Sequence, residues 1–208
     1  MTARGRFITL EGGEGAGKTT LSRGLATILE QAGHTVLRTR EPGGSPGAEA
    51  IRELVLGRGG WDPLAEAMLM SAARREHLRK TIEPALDGGR WVISDRFADS
   101  TMAYQGDAEG VGAERCRLLT SLALGQVRPD LTLILDLPVE LGAARARQRG
   151  ETNRFEDKPL GFHERVRQAF LRIAADEPGR CTVIDASRPV EEVLEQARVA
   201  LDRLLQAS

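Results

Sequence analysis

Two spacings of apolar residues alternate along the chain. Short runs from Phe7 to Leu10, Thr35 to Thr39, Trp91 to Ser94, Leu131 to Leu135 and Cys181 to Ile184 are rich in apolar or β-favouring residues and read as strands. Between them, apolar positions recur at helical spacing, as at Leu21, Leu25, Ile28 and Leu29, where Gly33 stops a helix near Ala32. The same period predicts helices over 46–57 and 63–87, the second closed by Gly88 and Gly89. Beyond Asp95, Arg96 and Phe97 it predicts a short helix, a loop around Gly106 to Gly112, and a helix to about Leu124. Further helices are expected from Pro138, over 159–176 and over 190–205. Nearly all-apolar strands separated by helices imply an α/β protein whose parallel sheet is covered on both faces. Ligands then sit at the carboxyl ends of the strands, which gathers Glu14, Arg40, Glu41, Asp95, Arg96 and Asp136 along one edge.

The break after the first strand is where chemistry enters. Gly12, Gly13, Glu14, Gly15, Ala16, Gly17, Lys18, Thr19 and Thr20 form a glycine-rich turn followed by a helix, with the spacing G-x-x-x-x-G-K-T. Glycines let backbone N–H groups curl around a phosphate, and the helix N-terminus adds partial positive charge. Lys18 supplies a mobile point charge for the terminal phosphates and Thr19 a hydroxyl ligand for Mg²⁺. A strand before the turn and a helix after it set this stretch apart from a chance glycine turn, and it predicts binding of a nucleoside triphosphate.

Composition narrows the setting. At 208 residues the chain is expected to be a single domain carrying at most a small lid. Lys plus Arg number 29 against 30 Asp plus Glu, so no overall field favours a nucleic acid polymer or an anionic membrane. Cys116 and Cys181 lack C-x-x-C spacing and are expected to be buried thiols. The first strand begins too early for a signal peptide, and no apolar run approaches the ~20 residues of a membrane helix, so a cytoplasmic location is expected.

A guanine-reading N-K-x-D loop is absent, since the single asparagine, Asn153, precedes Arg154. The D-x-x-G spelled by Asp107 to Gly110 does not follow a strand. A regulatory GTP-binding module is therefore disfavoured. Arg145, Arg147, Arg149 and Arg154 instead form a basic segment with Gly150 as a hinge, either a solvated helix face or a lid over about 145–157. A lid would exclude water from phosphoryl transfer, and its arginines would neutralise charge on the transferred group.

The chain resembles the bacterial thymidylate kinases, P-loop nucleoside monophosphate kinases that phosphorylate dTMP to dTDP. The resemblance is carried by Glu11 to Thr20, Thr39 to Gly44, Ala72 to Arg74, Asp95 to Phe97, Ser100 to Gly106, Arg128 to Asp136, Arg145 to Glu156 and Ile184 to Ala186. It implies a P-loop NTPase fold with a five-stranded parallel sheet, ATP as donor with Mg²⁺, and a homodimer. It also implies roles for single residues. Glu14 approaches the sugar 3′-hydroxyl of the acceptor, Arg96 and Arg40 hold the acceptor phosphate, and Asp95 joins Thr19 in holding Mg²⁺. Arg74 reads the thymine ring, with Met70 at a position where relatives often carry a stacking aromatic. Tyr104 packs near the sugar C2′, and Ser100, Thr101 and Gln105 are polar contacts to base or sugar. With no arginine in the phosphate loop, the chain looks like the lid-arginine type, with Lys18, Arg96, Arg149 and Arg154 as its catalytic cations.

An acceptor that is itself a phosphate is largely dianionic at neutral pH, so alignment and charge neutralisation suffice without a general base. Glu41 and Pro42 keep a second reading open, because deoxynucleoside kinases place a catalytic glutamate at the end of the second strand. A catalytically silent nucleotide-binding protein is the third.

Overall fold

The computed structural model describes residues 4–57, 59–149 and 154–206. Five strands, β1 (Phe7–Gly12), β2 (Val36–Arg40), β3 (Trp91–Asp95), β4 (Leu131–Asp136) and β5 (Cys181–Asp185), make one parallel sheet in the order β2-β3-β1-β4-β5. The order runs outward from β1 in both directions, so the end of β1 lies where the connections diverge and a crevice opens.

Alternation within the central strands divides their side chains between the two faces. Leu131, Leu133 and Leu135 of β4 join Ile8 and Leu10 of β1 under α1 (Lys18–Gln31) and the terminal helix α9 (Val190–Gln206). Ile134 turns the other way, toward Phe162, Val166 and Phe170 of α8 (Leu160–Asp176). Phe7 packs against Leu78, Ile82, Phe97 and Leu124 on that same side. The expectation that every strand is nearly all apolar holds only for β1, β3 and β4. β2 carries Arg38 and Arg40, both exposed, with its other residues half-buried, because an edge strand needs covering on fewer sides.

The remaining helices surround the cleft, α7 packing against the phosphate loop itself through Gly142. They are α2 (Pro46–Gly57), α3 (Pro63–His77), α4 (Glu83–Asp87), α5 (Ala98–Thr101), α6 (Ala113–Leu124) and α7 (Val139–Arg149). Asp62 caps α3, accepting from the backbone N–H groups of Leu64 and Ala65, with Pro63 at the first helical turn. The long helix expected over 63–87 is interrupted by a π-type turn at Leu78–Ile82. Pro84 lies just beyond it and cannot donate to a regular turn. A second π-type turn, Met102–Ala108, replaces part of the loop expected around Gly106. Such turns cluster at functional sites, and this one carries Tyr104 and Gln105.

Candidate active site

β1 ends in the glycine turn because the backbone there must adopt conformations closed to other residues. Gly15 has φ 70°, and a Cβ on it would lie 2.2 Å from the Gly142 carbonyl oxygen. Gly17, at φ 92°, caps α1 in the left-handed region. The turn places Lys18 so that its Nζ donates to the carbonyls of Gly12 (3.1 Å) and Gly13 (2.8 Å). Burial, reinforced by the neighbouring Arg96 charge, lowers the Lys18 pKa to about 8 against the pull of Asp95 and Glu14. Beside it, the Thr19 hydroxyl donates to Asp95 Oδ2 at 2.8 Å. These two hard oxygen ligands suit Mg²⁺, which takes few protein ligands and completes its shell with water and phosphate oxygens.

One cavity of about 1280 Å³ runs along the carboxyl edge of the sheet. The phosphate loop from Glu14 to Thr20 lines it together with Arg40, Glu41, Pro42, Met70, Arg74, Asp95, Arg96, Ser100, Thr101, Tyr104 and Gln105. Every acceptor-side residue expected from the sequence therefore borders one space. Arg145, Ala186 and Arg188 line its other end, where Arg145 donates to the Ala186 carbonyl at 2.9 Å. Gly12 and Gly13 border a separate, smaller cavity behind the loop. Asp136 lies there too, gripped by Arg167 at 2.6 and 3.0 Å, so the strand-end rule gathered one residue too many.

Arg96 is the hub of the cleft. Its φ of 71° is rare for a residue with a side chain, and it is held by what surrounds it. The guanidinium donates to Glu14 Oε1 (2.7 Å), Tyr104 Oη (3.1 Å), Ser100 Oγ (3.3 Å) and the Gly12 carbonyl (3.1 Å). Burial opposes its charge, yet Glu14, Tyr104, Asp95 and Glu11 more than compensate, and its pKa rises. Tyr104 serves two ends. Its ring meets Phe155, Phe162 and Phe170 edge-on, while its hydroxyl joins Arg96 and Glu14. Beneath them Glu11 accepts from the N–H groups of Phe97 and Ser100 and from Ser100 Oγ at 2.6 Å. Burial and the nearby Asp99 raise the Glu11 pKa to about 7.

Arg74 is not a solvated helical arginine. It is 3% exposed, with Nε donating to Glu41 Oε2 (2.7 Å), Nη1 to Thr101 Oγ1 (3.1 Å) and Nη2 to the Phe97 carbonyl (2.9 Å). The other oxygen of Glu41 meets His77 Nδ1 at 3.0 Å. Arg40, by contrast, sits at the exposed mouth in an ion pair with Glu49. Arg154 lies against the acceptor wall, paired with Glu66 and donating to the Val55 carbonyl at 2.9 Å. The Arg149 side chain and residues 150–153 of the expected lid lie outside the described residues.

The structure adds Arg52 to the cleft lining and places Glu66 and His77 behind it, bonded to Gln105 and Glu41. Arg52 lines the cleft and donates to the Pro42 carbonyl at 2.7 Å. Glu66, Met70, Arg74 and His77 fall at intervals of four, four and three along α3, a single face. That spacing was present in the sequence and could have drawn attention to Glu66 and His77.

Known proteins place this architecture. The family model described as thymidylate kinase matches residues 10–197. The thymidylate kinase of Caulobacter vibrioides is 54% identical over 192 residues, spanning 91% of this chain and 92% of its own. That of Bradyrhizobium diazoefficiens is 50% identical over 210 residues, spanning 98% and 92%. The crystal structure of thymidylate kinase from Ehrlichia chaffeensis superposes with a TM-score of 0.80 at 35% identity, covering 95% of this chain and 99% of that one. A glycine turn, an arginine-centred acceptor wall and this degree of likeness over nearly the whole length lead to one conclusion: the chain belongs to the thymidylate kinase family.

Proposed function

We propose that this chain transfers the γ-phosphoryl group of ATP to the phosphate of dTMP, giving dTDP and ADP. The observation that carries the reading is Arg96, half-buried between the phosphate loop and the acceptor wall and bonded to Glu14, Ser100 and Tyr104 in the same cleft as Lys18. Its planar fork suits a phosphate monoester, and its charge persists at any working pH. Lys18 and the loop hold the donor phosphates. Thr19 and Asp95 hold Mg²⁺, which supplies charge neutralisation between the phosphates when bound. Glu14 and Tyr104 bound the sugar, and Met70, Arg74, Thr101 and Gln105 bound the base. Arg40 and Pro42 lie at the entrance on the same side.

Glu41 does not fit the nucleoside-kinase alternative, because both of its oxygens are engaged, by Arg74 and His77. Those two bonds favour a bracing role for Glu41 over proton abstraction from a neutral hydroxyl, whereas a dianionic phosphate acceptor requires no proton acceptor. The deciding experiment supplies purified chain with ATP, Mg²⁺ and either dTMP or thymidine. ADP release with dTMP and not with thymidine is expected; the reverse would overturn the proposal.

The segment 145–157 acts as a lid of one domain, with Arg149 and Arg154 carrying its charge, and the enzyme works in the cytoplasm. No helix among the described residues is long and apolar enough to cross a membrane. The chain pairs as a homodimer through the α3–α6 surface, where Met68, Leu118 and Leu122 are more than half exposed. Sedimentation of Leu118→Glu/Leu122→Glu against the parent chain tests this, with dissociation expected.

A further inference from the structure

Glu66 is a carboxylate buried in the wall of the cleft, 1% exposed, to which neither the phosphate chemistry nor the phosphate loop assigns a task. Its Oε1 accepts from Gln105 Nε2 at 2.7 Å, and its Oε2 pairs with the Arg154 guanidinium. We infer that Glu66 is a positioning residue that sets base specificity by fixing which end of the Gln105 amide faces the acceptor cavity. The inference rests on the base-binding reading of the cavity end around Met70 and Arg74.

The argument is one of donors and acceptors. Both Glu66 oxygens are met by donor groups, Oε2 by the Arg154 guanidinium, which can only donate, and Oε1 by the Gln105 amide nitrogen. The Gln105 NH₂ group must therefore face Glu66, which turns the amide oxygen away from it. Gln105 borders the cavity beside Met70, Arg74 and Thr101, and in this inference its amide oxygen is the acceptor offered there. Next to it, Thr101 Oγ1 already accepts from Arg74 and retains its own proton to donate. An acceptor beside a donor complements a base edge with a ring N–H flanked by a carbonyl, as in thymine. With Gln105 at the ring nitrogen and Thr101 at the neighbouring carbonyl, cytosine would set the Gln105 oxygen against a bare ring nitrogen and leave both unpaired. One carboxylate thereby links base choice to Arg154, whose guanidinium also lies 4.3 Å over the Phe155 ring.

The test replaces the carboxylate by its neutral isostere, Glu66→Gln, in the full chain. Arg154 still requires an acceptor, so an amide at this position turns its NH₂ toward Gln105, which reverses the Gln105 amide. The ratio of kcat/KM for dTMP over dCMP should fall by at least about tenfold, chiefly through the KM for dTMP, with the KM for ATP unchanged. A carboxylate serving only as a brace would depress both acceptors in parallel and leave the ratio intact, which would overturn the inference. In the double variant Glu66→Gln/Gln105→Leu, discrimination should be no worse than in Gln105→Leu alone; additive losses would contradict action through Gln105. If Glu66→Gln fails to fold by circular dichroism, the wild-type complex with dTMP decides. The Gln105 amide within hydrogen-bond reach of the thymine ring N–H supports the inference, and any other partner refutes it. Failure of the wild type to phosphorylate dTMP would instead remove the base-site reading itself, and this inference with it.

Discussion

The phosphate-loop end of the cleft is assembled from neighbours in sequence, whereas the acceptor end draws on Glu41, Arg74, Arg96 and Gln105 from four separate segments, with Glu66 behind Gln105. The first end offers ligand a backbone turn and one lysine, and its geometry follows from glycine and a helix N-terminus. The second consists of charges taken out of water in mutually satisfying pairs: Glu14 with Arg96, Glu41 with Arg74, Glu66 with Arg154. Removing a group from the first end deletes a contact to ligand. Removing one from the second also strands its partner, so binding and folding are entangled there.

The sharpest way to break this contrast is Lys18→Ala. Lys18 is buried and its charged form is disfavoured, so its loss should leave thermal stability intact or slightly raised while turnover drops by on the order of 10³-fold. Unfolding of this variant would show that the lysine braces the loop. Arg96→Lys keeps the charge and forfeits the fork, and should lower kcat/KM for dTMP by about 10²-fold in steady-state kinetics. Arg74→Ala should do both kinds of damage. It is expected to raise the KM for dTMP by about tenfold with that for ATP unchanged. It should also cost roughly 3–5 kcal/mol in denaturant unfolding, because Glu41 loses its arginine. Equal effects on the two KM values would remove the base-reading role.

Proton linkage should distinguish the ends more gently. Burial holds the free Lys18 pKa near about 8, and a triphosphate beside it favours the ammonium form. ATP binding should therefore take up protons near and above that pH, and affinity should decline as pH rises through about 8. Titration calorimetry at that pH in buffers of different ionisation enthalpy measures the uptake; identical heats would contradict it. The smallest change expected is from Met70→Phe, where a ring able to stack on the base should lower the KM for dTMP by about two- to tenfold. An increase would show that Met70 packs as core and not against ligand.

What could be read from the chain beforehand follows the same division. The strands, the helix after each of them and the glycine turn depend on residues close in sequence, and they emerge from spacing alone. The partly exposed β2 and the π-type turn at Met102–Ala108 do not, since edge position and the wall packed around Tyr104 decide them. Lys18 and Thr19 are legible because each is tied to the glycine turn beside it. Arg74 and Arg96 are legible through likeness to a family, and their spacing alone would not single them out among 29 lysines and arginines. Glu66 and His77 escaped because a carboxylate or imidazole on a helix looks solvated until the partner brought to it by the fold is known.

The backbone of Arg96 carries a consequence for adaptation to heat. A left-handed φ of 71° on a residue with a Cβ costs on the order of 1 kcal/mol, stored at the residue to which the proposed reaction assigns the acceptor phosphate. Selection for thermal endurance would tend to relax such a joint, since glycine fits there more easily than arginine. Any lineage that did so would trade turnover for durability, and so a heat-adapted descendant must gain its robustness elsewhere, leaving this joint as it is.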